Sequence, residues 1–343
     1  MKLTVKDIIK ETDDAISICF KNGNLFKKLK YKPGQFLTLH VPINGTVEKR
    51  AYSFSSNPYT DKDLKISIKR VEKGLVSNYL HDTLKVGDKL EVDDPAGSFY
   101  IEPKSNAQKQ YVLFAGGSGI TPIFSILKSV LSTEPNSKVL LIYANQTTES
   151  IIFHNELKAL SVQYPENLKV EHIISSNKTY KANYHPGLAT KLLIDRMLAK
   201  HHLTYDSDFL YMICGPFGYM EKIKEILGEN GITRENIKLE VFKAPIVKVS
   251  GKNLLANVTL KVKGMEHQLK VRGDKSILNQ AMSNNIAIPY SCRSGMCSTC
   301  KGKCVEGEVK MLDGHILPDE DVKNGSILTC ISYPVSEHVV IEI

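Results

Sequence analysis

The chain has 343 residues, 42% hydrophobic and 24% charged, with a net charge of +8 and no low-complexity tract, which suits a soluble globular protein of two or three domains. No apolar run approaches a membrane span, and no basic cluster is interleaved with groove-reading residues, which excludes membrane-spanning and nucleic-acid-binding classes. The first residues lack the apolar stretch of a signal peptide and only seven cysteines are present, so a reducing, cytoplasmic location is expected.

The charge excess is uneven. Asn257–Ile343 holds ten Lys and Arg against ten Asp and Glu, while the rest of the chain holds 35 against 27. That mild positive balance suits steering of an anionic dinucleotide or an acidic partner, and equally a plain solvated surface.

Residues 1–104 predict short strands at Lys2–Ile9, Ala15–Lys21, Gln35–Val41, Arg50–Ser55, Leu64–Val71 and Lys89–Val92. Asn22-Gly23, Pro33-Gly34 and Val86-Gly87-Asp88 punctuate them as turns, and that density of short strands predicts a barrel or sandwich. Within it, Arg50-Ala51-Tyr52-Ser53 offers a guanidinium for phosphate, a ring for stacking on a flat heterocycle, and a hydroxyl for a ring nitrogen. Taken alone these are ordinary strand residues. Gly74-Leu75-Val76-Ser77 brings amides and a hydroxyl to the start of a helix over Ser77–Leu84, a second place for phosphate or simply a turn.

Strands and helices then alternate. Strands are expected at Tyr111–Ala115, Val139–Tyr143, Val170–Ser175, Phe209–Cys214 and Ile237–Phe242. Helices are expected at Thr121–Ser132, Phe153–Val162, Leu188–Ala199 and Tyr219–Glu229. Alternation with short links predicts a parallel, doubly wound sheet. The run Gly116-Gly117-Ser118-Gly119-Ile120-Thr121-Pro122 sits where the first strand meets the first helix. Its glycines let backbone approach a pyrophosphate, and a helix capped by Thr121 with Pro122 in its first turn offers amides and a positive dipole end. A tight βα turn with no ligand is the plain alternative. Cys214-Gly215-Pro216 closes the fourth strand at the carboxyl edge, where such sheets bind ligands, although a lone strand-end cysteine is often a small buried apolar residue.

Residues 244–256, with Pro245, Ser250 and Gly251, predict a linker. Beyond it, Val258–Val262 and His267–Val271 predict a hairpin around Lys263-Gly264, followed by a helix at Ile277–Asn284. Then comes Cys292-x4-Cys297-x2-Cys300, with Cys330 following after 29 intervening residues. Four thiolates at this spacing are what a plant-type [2Fe–2S] cluster needs, with three ligands on one loop and the fourth on a distant segment. Gly295 relieves crowding where amides turn toward sulfur. Zinc is the alternative, but zinc sites pair two C-x2-C or C-x2-H halves and only one is present. Disulfides would strain three cysteines lying within nine residues. Cys19 reads as core and Cys304 as packing.

In this order the motifs resemble, over essentially the entire chain, the ferredoxin–NADP reductase superfamily with a fused C-terminal plant-type ferredoxin. The anchors are Pro33-Gly34-Gln35-Phe36, Arg50-x-Tyr52-Ser53, Gly117-x-Gly119-x-x-Pro122, Cys214-Gly215-Pro216, Glu240-Val241-Phe242 and the four cysteines. The resemblance implies an FAD-binding antiparallel β-barrel at 1–104, a parallel α/β NAD(P)-binding domain at 105–243 and a β-grasp [2Fe–2S] domain at 257–343. It further implies that Arg50 holds flavin phosphate, with Ala51 beside it, that Tyr52 packs on the flavin, and that Ser53 hydrogen-bonds near its N5. Gly74, Val76 and Ser77 would hold the FAD pyrophosphate. Gly116, Gly117, Ser118, Gly119, Thr121, Pro122, Ser175, Gly215 and Pro216 would hold the dinucleotide, with Cys214 beside the nicotinamide. Ser53, Cys214, Glu240 and Phe242 would form the catalytic set at the flavin face, Phe242 standing where plastid relatives end in Tyr.

NADP-specific relatives carry Ser-Arg after the third strand, where this chain has Ser175-Ser176-Asn177-Lys178; Lys178 or Lys181 is the candidate point charge, and the donor is left as NADH or NADPH. By the same resemblance the acceptor is an oxygenase or hydroxylase, a diiron enzyme of the phenylacetyl-CoA epoxidase type that acts on an aromatic acyl-CoA. Two other readings stand beside it. One is a non-catalytic electron-relay subunit of a separate dehydrogenase, against which the long gap before Cys330 speaks. The other is a zinc-stabilised flavin-binding interaction module.

Overall fold

The structure is a computed structural model that describes residues 1–21, 29–176, 182–242, 255–262, 264–312 and 315–343. The expected Asn22-Gly23 turn, Lys178, Lys181, Lys263 and most of the expected linker lie outside the described residues. The chain forms two compact units, Met1–Glu240 and Val241–Ile343.

The first unit begins with strands β1 (Lys2–Thr12), β2 (Ala15–Phe20), β3 (Phe36–Ile43), β4 (Thr46–Ser53), β5 (Leu64–Lys69) and β6 (Lys89–Val92), with helix α1 (Leu75–Thr83) between the last two. They form one six-stranded antiparallel sheet in the order β4-β3-β6-β1-β2-β5. A bridge from Phe54, just past β4, to Ile66 on β5 joins the two edge strands, so the sheet closes on itself and leaves little unpaired edge. Val5, Ile18, Leu37, Leu39, Phe54 and Ile66 fill its interior. β4 starts earlier than expected because Asn44 (φ 50°) and Gly45 (φ 77°) make a two-residue hairpin turn between Ile43 and Thr46. Both left-handed φ values match the primed turn whose twist suits a hairpin, and Asn-Gly is its strongest sequence signal.

A second, parallel sheet follows in the same unit. Its elements are β7 (Gln110–Gly116), α2 (Ile120–Thr133), β8 (Lys138–Asn145), α3 (His154–Gln163), β9 (Leu168–Ile174), β10 (Tyr184–Pro186), α4 (Lys191–Lys200), β11 (Leu210–Cys214), α5 (Phe217–Glu229) and β12 (Ile237–Glu240). The strand order is β10-β9-β8-β7-β11-β12, every pair parallel. The winding reverses between β7 and β11, which opens a crevice at their carboxyl ends. All five strands expected in this segment form. β10 is an addition to them, since three residues carry no readable period.

The second unit holds β13 (Leu255–Val262), β14 (Met265–Arg272), α6 (Ile277–Ser283), β15 (Lys301–Glu306), β16 (Val309–Met311), α7 (Asp319–Lys323), β17 (Ser326–Leu328), β18 (Ser332–Pro334) and β19 (His338–Glu342). A mixed five-stranded sheet runs β14-β13-β19-β15-β17, with β13 and β19 parallel, and β16 pairs with β18. This is the β-grasp arrangement. β13 already includes residues 255 and 256, which fall in the expected linker. Val258, Leu260, Val271, Leu278, Leu328 and Ile341 form its core. Among the described residues no helix is long and apolar enough to cross a membrane.

Candidate functional site

Arg50, Ala51, Tyr52 and Ser53 all lie on β4, opposite Leu39, Thr38, Leu37 and Phe36 of β3. Antiparallel pairing next to the barrel closure holds these four residues at fixed heights. Ser53 is buried. The Arg50 guanidinium is one-third exposed, donates from Nη1 to the Lys49 carbonyl at 2.6 Å and pairs with Glu48 at 3.1 Å. It stays within reach of an anion on the barrel surface. Burial pushes the Tyr52 phenol well above its ordinary pKa, against a small opposing pull from Arg50, so it remains a neutral ring.

Gly74 is the N-cap of α1, and no side chain caps that helix. A Cβ on Gly74 would fall 2.7 Å from Ser77 Oγ and 2.9 Å from Val71 Cβ, so only glycine fits this turn. The Ser77 hydroxyl faces back and accepts from the Val71 amide at 3.1 Å, which shapes the turn, while Val76 and Ser77 are both buried. The amides opening α1 therefore lack a side-chain partner, which suits a pyrophosphate.

At the switch point two turns press together backbone to backbone. A Cβ on Gly119 would lie 2.1 Å from the Cys214 carbonyl oxygen, and one on Gly215 would lie 3.0 Å from Gly116 Cα. Gly116 is blocked in turn by Pro216 Cδ at 2.7 Å. β7 and β11 are adjacent with Ala115 opposite Cys214, so their exits must pass each other with no room for side chains. Gly117 differs. Its φ is +50° and an added Cβ would meet nothing within 4 Å, so the backbone conformation alone favours glycine there. The Tyr143 hydroxyl donates to the Gly117 carbonyl at 3.0 Å and fixes that peptide.

Thr121 does not cap α2. A 3-10 turn at Gly117–Gly119 leads into the helix one residue earlier than expected, Gly119 is the N-cap, and the Thr121 hydroxyl donates to the Ser118 carbonyl at 3.0 Å. Pro122 does stand in the first turn. The helix thus opens with no side-chain cap, in contrast to α4 and α6, whose amides are met by Thr190 and Ser276. Ser118 is partly exposed on the turn. Ser175 is exposed after β9, its amide bonded to the Asn145 carbonyl at 3.0 Å.

Cys214 is fully buried, and its thiol is pushed well up by burial and by the neighbouring Glu240 carboxylate. Glu240 ends β12 opposite Cys214 and is itself buried. Phe242 lies beyond the end of β12, 41% exposed, so the expected strand to Phe242 stops two residues short.

In the second unit the four cysteines come together as two pairs. Cys292 and Cys297 lie side by side; contact with Cys292, together with the hydroxyl and amide of Thr299, lowers the Cys297 thiol while Cys292 is pushed up. Cys330 lies beside Cys300, again with one partner lowered and the other raised. Amides turn toward sulfur as the small residues imply: Ser294 toward Cys292, Thr299 toward Cys297 and Gly295 toward Cys330. Gly295 has φ +80°, and a Cβ there would strike Ile331 at 2.7 Å. The amide and hydroxyl of Thr329 both donate to the Cys300 carbonyl, at 3.1 and 3.2 Å, which pins the distant segment to the loop. Among the described residues no three His, Cys, Asp or Glu side chains gather tightly enough to hold one metal ion. Four thiols in two neighbouring pairs would suit a [2Fe–2S] cluster, which takes four cysteine ligands. Cys304 stands on β15, apart from both pairs in the register.

Comparison with known proteins assigns each part. Residues 2–101 match the oxidoreductase FAD-binding domain, 113–225 the oxidoreductase NAD-binding domain, and 260–335 the 2Fe-2S iron-sulfur cluster binding domain. The chain is 38% identical over 354 residues to the ferredoxin reductase component of 3-ketosteroid-9-alpha-monooxygenase of Rhodococcus rhodochrous, covering 99% of this chain and 96% of that one. It is 32% identical over 348 residues to one of the subunits of 1,2-phenylacetyl-CoA epoxidase of Escherichia coli K12, with the same coverage of 99% and 96%. The structure of phthalate dioxygenase reductase shares the fold with a TM-score of 0.66 at 23% identity, over 100% of this chain and 98% of that one. FAD, NAD(P)H and a [2Fe–2S] cluster are therefore the cofactors.

Proposed function

The chain belongs to the ferredoxin–NADP reductase superfamily with a fused C-terminal 2Fe-2S domain, and we propose that it is the reductase component of an oxygenase system. The observation that carries this reading is the gathering of four thiols into two pairs, which gives a pyridine-nucleotide oxidoreductase an outlet for single electrons. When bound, FAD takes a hydride from NAD(P)H and gives up electrons singly, and the cluster carries them onward.

The residues divide the remaining work. Arg50 anchors flavin phosphate by charge, Tyr52 supplies a neutral packing surface and Ser53 a buried hydroxyl near the flavin ring, with Ala51 between them on β4. The amides opening α1 at Val76 and Ser77, presented by the tight turn at Gly74, hold the FAD pyrophosphate. The turn Gly116–Gly119 and the uncapped start of α2, through Ser118, Thr121 and Pro122, receive the dinucleotide phosphates, with Ser175 at its far end. Gly215 and Pro216 shape the floor where the nicotinamide sits beside Cys214. Cys214 stays protonated, so it excludes water and accepts the ring as a small apolar surface, while Glu240 on β12 adjoins it and Phe242 follows Glu240 in the chain. Cys292, Cys297, Cys300 and Cys330 hold the irons, and the amides turned toward them stabilise their negative charge.

The oxygenase we propose is a diiron enzyme acting on an aromatic acyl-CoA, supported by the likeness to a component of phenylacetyl-CoA epoxidase; the higher identity to a ketosteroid monooxygenase component makes that system the control. A visible spectrum of anaerobic protein, before and after NADH and then NADPH, tests the reductase reading. Flavin and iron–sulfur bands bleached by one nucleotide are expected. Bands that neither nucleotide bleaches would instead fit an electron-relay subunit, and missing iron bands would return the cysteines to zinc. Coupled turnover with each oxygenase then decides the partner.

A further inference from the structure

Four residues past Ser53, Asn57 joins the barrel to α2, the helix that grows out of the glycine turn. Asn57 is 1% exposed, and its side-chain amide is saturated on both sides. Nδ2 donates to the Lys128 carbonyl at 3.1 Å and to Ser132 Oγ at 2.9 Å. Oδ1 accepts from the Tyr59 amide at 2.9 Å and shares the Ser129 hydroxyl proton, at 3.1 Å, with the Ser125 carbonyl at 2.8 Å. The Tyr59 N–H can only donate and the Lys128 carbonyl can only accept, so the amide has one orientation and no other side chain of its size meets both.

Its neighbours extend the same junction. The Ser125 hydroxyl donates to the Ser56 carbonyl at 2.6 Å, with Ser125 and Ser129 fully buried. Asp61 accepts from the Asn57 backbone N–H at 2.8 Å and pairs with Lys128 at 2.5 Å. Ser125, Ser129 and Ser132 recur at helical spacing, so one face of α2 is seated on the loop that follows β4. The two parts also meet at Gly34, where an added Cβ would lie 2.8 Å from Ile126, and at Lys238 on β12, whose Nζ donates to the Tyr100 carbonyl at 2.8 Å. Apolar contact resists separation but allows sliding; hydrogen bonds fix distance and direction.

We infer that Asn57 is a positioning residue that sets the spacing between the flavin held on β4 and the nucleotide held at the start of α2. The inference rests on the reductase reading. Hydride transfer needs reacting atoms in near-contact, and a shift of about 1 Å can cost orders of magnitude in rate. A rigid amide link between the two holding elements supplies that precision without touching either ligand.

The test uses FAD- and cluster-loaded protein under anaerobic conditions. It compares wild type with Asn57→Ala and with Ser129→Ala, which removes one donor only. Three quantities are read: the NAD(P)H dissociation constant, the long-wavelength charge-transfer absorbance of stacked flavin and nicotinamide, and the bleaching rate at saturating nucleotide. For Asn57→Ala, the expected result is a dissociation constant within about twofold of wild type, loss of the charge-transfer absorbance and a roughly tenfold slower bleach. Ser129→Ala should move the same way by roughly threefold, and it decides the matter if Asn57→Ala does not fold. Wild-type absorbance and rate in the folded variants would overturn the inference even if their melting temperatures fall, since a merely structural link lowers stability alone. A wild-type protein that neither nucleotide bleaches would instead sink the reductase reading.

Discussion

The cysteine loop and the paired glycine turns do their work in opposite ways. In the loop, the proposed function resides in side chains: four thiols that lie in two neighbouring pairs. At the turns, function resides in the lack of side chains, because the exits of β7 and β11 pass so closely that a methyl on Gly119 would sit 2.1 Å from the Cys214 carbonyl oxygen. One region fails when a group is removed and the other when a group is added. A ligand set is therefore readable as spacing, whereas a backbone cradle is readable only as glycine, which has many other uses.

The largest expected effect is on the loop. Cys330→Ser should abolish the iron–sulfur absorbance and cytochrome c reduction completely, while NAD(P)H–ferricyanide activity stays near wild type. Loss of ferricyanide activity in correctly folded protein would show that electrons do not pass the flavin first. At the turns, Gly119→Ala should cost about 3 kcal/mol or more in a denaturant melt and destroy NAD(P)H binding, because backbone lies on the far side of the added methyl. A stable variant with wild-type affinity would mean the two turns separate easily.

Acid should strike the parallel sheet next. His172 on β9 is buried against Tyr184, ring centroids 4.7 Å apart, and burial pulls its pKa down to about 4, helped by the charge of His154. The folded state resists protonation while the unfolded imidazole titrates near 6.5, so the unfolded chain binds more protons between those values. Stability should then fall as pH drops from about 6.5 toward 4, and calorimetry of His172→Phe should show a flatter dependence. An identical slope in the variant would assign the acid response to other groups.

Two small effects sharpen the contrast. Gly117→Ala meets no steric barrier but must hold φ +50°, so it should cost about 1 kcal/mol and weaken nucleotide binding modestly. A loss as large as that of Gly119→Ala would mean the turn is crowded by the ligand itself. Cys304→Ser should leave iron content and spectrum unchanged, because Cys304 sits on β15 outside both thiol pairs; lost iron would make it a ligand.

Much of the site is legible in the sequence. The Cys292–Cys330 spacing, the glycine run after β7 and the order of the motifs all survive folding because each is local chemistry repeated at a fixed offset. The Asn44-Gly45 hairpin is equally legible, and its turn signal outweighs the strand pattern that places the start of β4 at Arg50. Thr121 reads as a cap because a threonine before a helix commonly is one, and nothing local reveals that a 3-10 turn will consume its hydroxyl. Asn57 carries no signal at all. A single asparagine in a loop becomes a junction only when α2, some seventy residues later, places two serines and a carbonyl around it.

By itself the sequence determined the classes of element, the four thiols and the positions where backbone must come close, since these follow from period, spacing and residue type. Only the tertiary structure decided that the sheet of the barrel closes through Phe54, that the glycines at the switch point are demanded by each other, and that one buried amide ties the loop after β4 to α2. Those are facts about groups far apart in the chain, and contact between them exists only once the apolar cores have brought the strands and helices together.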